Sequence, residues 1–209
     1  MKIRVLGGGP AGLYFSILAR KARPDAEVVV YERNRADDTF GWGVVFSDET
    51  LGNLEDADAE TYAAIRENFA YWDAIDVHTW TDAQHRVVRS GGHGFCGIGR
   101  MRLLLILQAR ARELGVELRF EEQIDDIEAL RRDCDLFVAA DGINSRTREL
   151  FTDVFKPSIR KGDARFVWLG TKQCFEAFTF SFRENEHGVF QIHAYQFDES
   201  TSTFIVECD

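Results

Sequence analysis

The sequence predicts an α/β protein: a Rossmann-like domain built on a parallel sheet, with a partly represented antiparallel-sheet domain after it. Three observations predict this. Lys2 to Phe15 reads as strand, glycine turn and helix. A second apolar strand, Val28 to Tyr31, ends at the acidic Glu32. After Pro157 the pattern becomes short alternating strands separated by polar turns.

Ile3, Val5 and Leu6 form the first strand, and Gly7, Gly9 and Gly12 then fall in a G-x-G-x-x-G pattern. Gly7 turns the chain off the strand, Gly9 lets a pyrophosphate approach the backbone, and Gly12 lets the helix pack against the sheet. The helix start offers free N–H groups and a partial positive charge to phosphates. Glu32 stands 20 residues after Gly12, where an acidic side chain grips a ribose diol. The turn, the following helix and the acidic partner together point to a dinucleotide.

The first helix is expected from about Ala11 to Ala22, with Leu13–Ile17 and Tyr14–Leu18 as its buried pairs and Pro24 forbidding continuation. Gly41 to Phe46 sets two glycines around Trp42, either against a flat ligand or as a packed surface loop. Ser47 and Asp48 cap a helix over Leu51 and Leu54, and a further helix is expected over 60–69. From 71 to 97 the period shortens to that of strands, read as a β insertion that joins the second sheet. His93 sits in a glycine-rich loop, as a solvated or a site-lining residue.

Gly97 to Leu103 is expected to open a long helix that ends at Gly115. Arg100 falls at its start, where a cation opposes the dipole; either a neighbouring anion or an exposed side chain reaching into water would account for it. Asp135 to Ala140 reads as a buried strand ending in Asp141-Gly142, at the sheet edge where ligands bind. In the C-terminal strands, Phe178, Phe180 and Phe182 share one face, and His193 and Tyr195 share a face of their own strand. The expected division is 1–157 for nucleotide binding, including the insertion, and 158–209 for the start of the second domain.

A net charge of −10 and a pI near 5.0 argue against a general binder of nucleic acid or of anionic membranes. Cys96, Cys134, Cys174 and Cys208 are widely spaced and lack a C-x-x-C pair, so no metal site or disulfide framework is expected and a cytoplasmic setting is. The glycines at 7–9 break any signal-like helix.

Three motifs, G-x-G-x-x-G with Glu32-Arg33, Ile98-x-Arg100-x-x-Leu103, and Ala140-Asp141-Gly142, stand in the order seen in the FAD-dependent aromatic hydroxylases of the p-hydroxybenzoate hydroxylase fold. The chain resembles that family. Asp38 to Asp48, Ser90 to Arg100 and Thr201 to Glu207 are most similar to the monooxygenase part of salicylyl-CoA 5-hydroxylases and anthraniloyl-CoA monooxygenases. The resemblance implies a flavoprotein that uses NAD(P)H and O₂ to hydroxylate an aromatic acyl-CoA. It implies that Gly7, Gly9, Pro10, Ala11 and Gly12 hold the FAD pyrophosphate and that Glu32 binds the adenosine ribose. Arg33 would lie beside the adenosine, Arg100 near the flavin and its phosphates, and Asp141 with Gly142 at the cofactor crevice. From their position on one inward-facing strand, and not from the resemblance, His193 or Tyr195 would help orient or deprotonate the substrate.

Two features depart from the family pattern. Its second fingerprint, a Gly-Asp before a proline- and glycine-rich helix start, is expected beyond Asp209. The 209 residues therefore read as the N-terminal part of a longer enzyme, with a C-terminal flavin-reductase domain as one possible continuation. Alone they are expected to be inactive. Many members also carry an arginine near Gly41, where this chain has Gly41-Trp42. A flavin- or NAD-dependent dehydrogenase and a non-catalytic nucleotide-binding fragment are the alternative readings.

Overall fold

The computed structural model describes residues 1–81 and 84–208. Asp82 and Ala83 of the expected insertion, and Asp209 at the expected end of the second domain, lie outside the described residues. In chain order the elements are β1 (Lys2–Leu6), α1 (Pro10–Ala22), β2 (Glu27–Tyr31), β3 (Gly43–Ser47), α2 (Asp48–Ala57), α3 (Ala59–Arg66), β4 (Ala70–Trp72), β5 (Ile75–Thr81), β6 (Gln84–Ser90) and β7 (Phe95–Gly99). There follow α4 (Arg100–Glu113), β8 (Glu117–Arg119), α5 (Ile127–Arg132), β9 (Leu136–Ala139), α6 (Arg146–Leu150), α7 (Thr152–Phe155), β10 (Arg165–Thr171), β11 (Phe178–Asn185), β12 (Gly188–Gln196) and β13 (Ser202–Cys208). The chain divides into two compact units, residues 1–38 with 103–160, and residues 39–102 with 161–209.

The first unit is a four-stranded parallel sheet in the order β8-β2-β1-β9. Three consecutive valines, Val28 to Val30, are buried in β2, as a strand covered on both faces requires. Helix α1 buries Gly12, Leu13, Ser16 and Ile17, one stripe of a 3.6-residue period. Arg20 near its end donates to the carbonyls of Leu114, Pro24 and Ala26, tying the helix end to two loops. In α4, Leu103, Leu104, Leu107 and Ala111 face inward, and Gly115 (φ 77°) ends the segment as expected.

Strand β9 differs from the expectation of a buried strand. Leu136 is 37% exposed and Ala139 is exposed. Among the described residues β9 pairs on one side only, with β1, so it is an edge. A groove of about 810 Å³ runs along it, lined by Leu136, Val138, Phe151, Val154 and Phe155 among others.

The second unit holds two sheets. The smaller, in the order β3-β7-β4, is antiparallel. The larger runs β10-β13-β12-β11-β5-β6, with the β5–β6 hairpin at one edge. It is mixed rather than wholly antiparallel, because β5 pairs parallel with β11. A tight turn dictates antiparallel pairing, and no turn links these two strands.

The long helix starts at Arg100, later than expected, because Phe95 to Gly99 form β7. Ile98 is fully buried there, and a Cβ on Gly97 would overlap the Gln196 carbonyl oxygen. Gly97, read in the sequence as part of a helix start, instead lets the backbone of β12 approach. Trp72 of β4 packs on Phe178 and Tyr195 of the larger sheet, with ring centroids 5.3–6.4 Å apart.

Candidate functional site

The glycine turn of the first unit is built as its sequence requires. Gly7 (φ 112°) donates its N–H to the Tyr31 carbonyl at 2.8 Å. A Cβ on Gly7 would overlap the Ala140 carbonyl, and one on Gly12 would overlap the Gly7 carbonyl. These two glycines therefore serve the packing of strand, turn and helix. Gly9 is different: nothing lies within 4 Å of where its Cβ would be. Gly9 is the N-cap of α1, no side chain caps the helix, and Pro10 occupies the first turn. The result is open space over the positive end of a 13-residue helix, with Ala11 and Gly12 in its first turn.

Glu32 sits beside this turn. Its carboxylate accepts the Gly8 N–H at 2.8 Å on one oxygen. The other oxygen accepts the Asn34 backbone N–H and side-chain amide, each at 2.8 Å. A carboxylate offers about four acceptor positions, so the three bonds leave room for one hydroxyl donor. Arg33 is exposed to solvent.

Asp141 follows β9, and its backbone N lies 3.1 Å from the Cβ position of Gly7. Its side chain is engaged within the protein. One oxygen accepts the Ser145 hydroxyl at 2.6 Å, the other the Thr147 N–H at 3.0 Å and hydroxyl at 3.1 Å. Burial works to raise its pKa, but these hydrogen bonds more than offset it and hold the carboxyl below its ordinary range. Gly142 (φ 79°) has open space around its Cβ position, so its backbone angle is what calls for glycine.

Gly7, Gly9, Pro10, Ala11, Gly12, Glu32, Asp141 and Gly142 thus gather around one turn of the first unit. Arg100, His193 and Tyr195 belong to the second. Arg100 donates its backbone N–H to the Trp42 carbonyl at 2.7 Å, while its side-chain Nε is buried without a partner. Tyr195 is buried; it donates its hydroxyl to the Gly43 carbonyl at 2.8 Å, and burial pushes its pKa up. That hydroxyl is engaged by the backbone of β3. His193 is half-buried, with its Nε2 2.6 Å from the Gln191 amide nitrogen and its ring edge-on to Phe180 at 5.0 Å. Gln191 went unnoticed in the sequence, although a polar residue two positions from His193 shares its face of the strand. His93 is held by Ser90, Oγ to Nε2 at 2.7 Å. All four cysteines are free.

No family model matches the chain. It is 46% identical, over all 209 residues, to a salicyloyl-CoA 5-hydroxylase from a Streptomyces species, of which it covers 40%. It is 32% identical over the same span to the protodeoxyviolaceinate monooxygenase of Chromobacterium violaceum, covering 55% of that protein. The chain thus spans about half the length of these relatives. Among solved structures, PqsL of Pseudomonas aeruginosa, described as a "probable FAD-dependent monooxygenase", matches with a TM-score of 0.67 at 16% identity, covering all of this chain and 60% of that one. The 209 residues are therefore homologous to part of a salicyloyl-CoA 5-hydroxylase and share the fold of the FAD-dependent monooxygenases.

Proposed function

We propose that this chain forms the FAD-binding part of a monooxygenase that hydroxylates an aromatic ring carried as a coenzyme A thioester, using NAD(P)H and O₂. The observation that carries the reading is the uncapped α1 N-terminus with open space over Gly9 and Glu32 alongside. That cradle fits a diphosphate and an adjoining ribose. FAD, when bound, supplies the oxygen chemistry.

The chain's own residues bind and position. Gly9, Ala11 and Gly12 present backbone to the diphosphate, Pro10 fixes the first turn, and Gly7 holds the turn against Ala140. Glu32 accepts a ribose hydroxyl at its remaining acceptor position, with Arg33 beside the adenosine. Asp141 and Gly142 shape the loop after β9 through Ser145 and Thr147. In the second unit the Arg100 Nε is buried without a hydrogen-bond partner, and its positive charge suits an anionic ligand. Its larger sheet supplies the substrate-facing surface, where His193, held by Gln191, orients the substrate's ring oxygen or nitrogen. Among the described residues no helix is long and apolar enough to cross a membrane, and a cytoplasmic enzyme fits the four free thiols.

Titration of the purified chain with FAD, followed by flavin absorbance and fluorescence, tests the cofactor. Saturable binding displaced by ADP is expected, and a chain that stays colourless overturns the reading. In a longer form of the enzyme, NAD(P)H oxidation stimulated by an aromatic acyl-CoA should consume O₂. Oxidation that proceeds equally without O₂ identifies a dehydrogenase instead.

A further inference from the structure

Strand β12 is an interior strand of the larger sheet, paired with β11 on one side and β13 on the other. Gln191, His193 and Tyr195 alternate along it and share one face. The cross-strand neighbours of His193 on that face are Phe180 and Ile205, whose side chains carry no hydrogen-bonding group. Tyr195 gives its hydroxyl to the Gly43 carbonyl. Glu207, the titratable residue of β13 on this face, stands opposite Gln191 rather than His193.

The polar partner of the His193 ring is therefore Gln191, whose amide nitrogen lies 2.6 Å from Nε2. An amide nitrogen only donates, so Nε2 accepts. A neutral imidazole carries one ring proton, and with Nε2 accepting, that proton sits on Nδ1. Among the described residues Nδ1 has no hydrogen-bond partner, and the ring is half-buried between apolar walls. An unpaired donor partly withdrawn from water gains from any acceptor brought to it.

We propose that Gln191 is a positioning residue: it fixes His193 as the Nδ1–H tautomer, so that the imidazole donates to an acceptor atom of the bound aromatic substrate and takes no proton from it. The contact with substrate rests on the hydroxylase reading above. The tautomer rests on the sheet alone.

Nitrogen-15 NMR of the chain at about pH 8.5, where an ordinary imidazole is neutral, reads the tautomer directly. The His193 signals are identified by their loss in His193→Asn. The proton is expected on Nδ1. Gln191→Glu presents a carboxylate, which only accepts, and should move the proton to Nε2. In a longer form of the enzyme this turns Nδ1 from donor to acceptor. KM for the aromatic acyl-CoA should then rise about tenfold, with kcat changed less. Gln191→Met has a similar length and neither role, so a mixed tautomer and an intermediate KM are expected. A wild-type proton on Nε2, or an even mixture, overturns the tautomer. The expected tautomers with unchanged KM in both variants overturn the contact with substrate. A KM raised in Gln191→Glu but not in Gln191→Met marks the added charge and overturns that contact too. NAD(P)H oxidation that needs no O₂ sinks the hydroxylase reading and leaves the NMR result standing.

Discussion

The Glu32 carboxylate accepts the Gly8 backbone N–H at 2.8 Å, so the acidic end of β2 is fastened to the middle of the glycine turn. A residue expected to grip a ribose also fixes the loop meant to hold the diphosphate. Glu32→Gln replaces one acceptor oxygen by an NH₂ group that must face a donor at Gly8 or at Asn34. We expect a loss of about 1–2 kcal/mol in urea unfolding and FAD affinity at least about tenfold weaker. Equal stability of the variant and the wild type would remove the fastening role.

Gly9 and Gly12 separate ligand from packing. Gly9→Ala meets no atom within 4 Å and has an ordinary extended backbone (φ −74°, ψ 177°). Its unfolding midpoint should match the wild type while FAD titration shows binding abolished. Gly12→Ala drives a methyl group into the Gly7 carbonyl. It should cost about 1–3 kcal/mol or more, as overpacking does. Denaturation curves and FAD titration of the pair check both statements.

The Asp141 carboxyl is held below its ordinary range, because its hydrogen bonds outweigh the effect of burial. As pH falls, the unfolded chain takes up this proton first. The stabilisation is therefore present above the unfolded pKa of about 4 and is lost as pH drops through the lower native value. Asp141→Asn should lack that acid-side dependence. Urea unfolding from pH 6 down to pH 3 should show the wild type's advantage shrinking below about pH 4, and a constant difference across the series would contradict it.

Cys96 is fully buried, and desolvation pushes its thiol up to about 12. Cys174 is exposed. With a colorimetric thiol reagent at pH 8, Cys174 should react promptly and Cys96 only after unfolding. Mass mapping of the labelled peptides identifies which thiol reacted.

What was legible in the sequence follows the range of the interactions involved. The Ser47 cap of α2, whose hydroxyl accepts the Thr50 N–H, rests on a neighbour three residues away, and the turn from Gly7 to Gly12 declares itself by its glycine spacing although Ala140 and Glu32 pack against it; both are read off the chain. Gly97 and Ile98 read as a helix start because their partners, the Gln196 backbone for Gly97 and Val44 in β3 for Ile98, are distant in sequence. Leu136 reads as buried because an apolar strand looks the same at the centre of a sheet and at its edge. Nothing in the sequence links Trp168 to Gly41; that its ring edge lies over this glycine is visible only in the fold.

The open flank of β9 bears on how this polypeptide behaves in solution. Among the described residues the outer side of β9, bordered by Leu136, Val154 and Phe155, has no paired strand and is a template on which further chains can add. Mutual repulsion at a net charge of −10 opposes that addition, and dissolved salt screens the repulsion. Light scattering of concentrated samples should therefore stay low in dilute buffer and climb with ionic strength, whereas a Leu136→Lys chain should remain clear throughout.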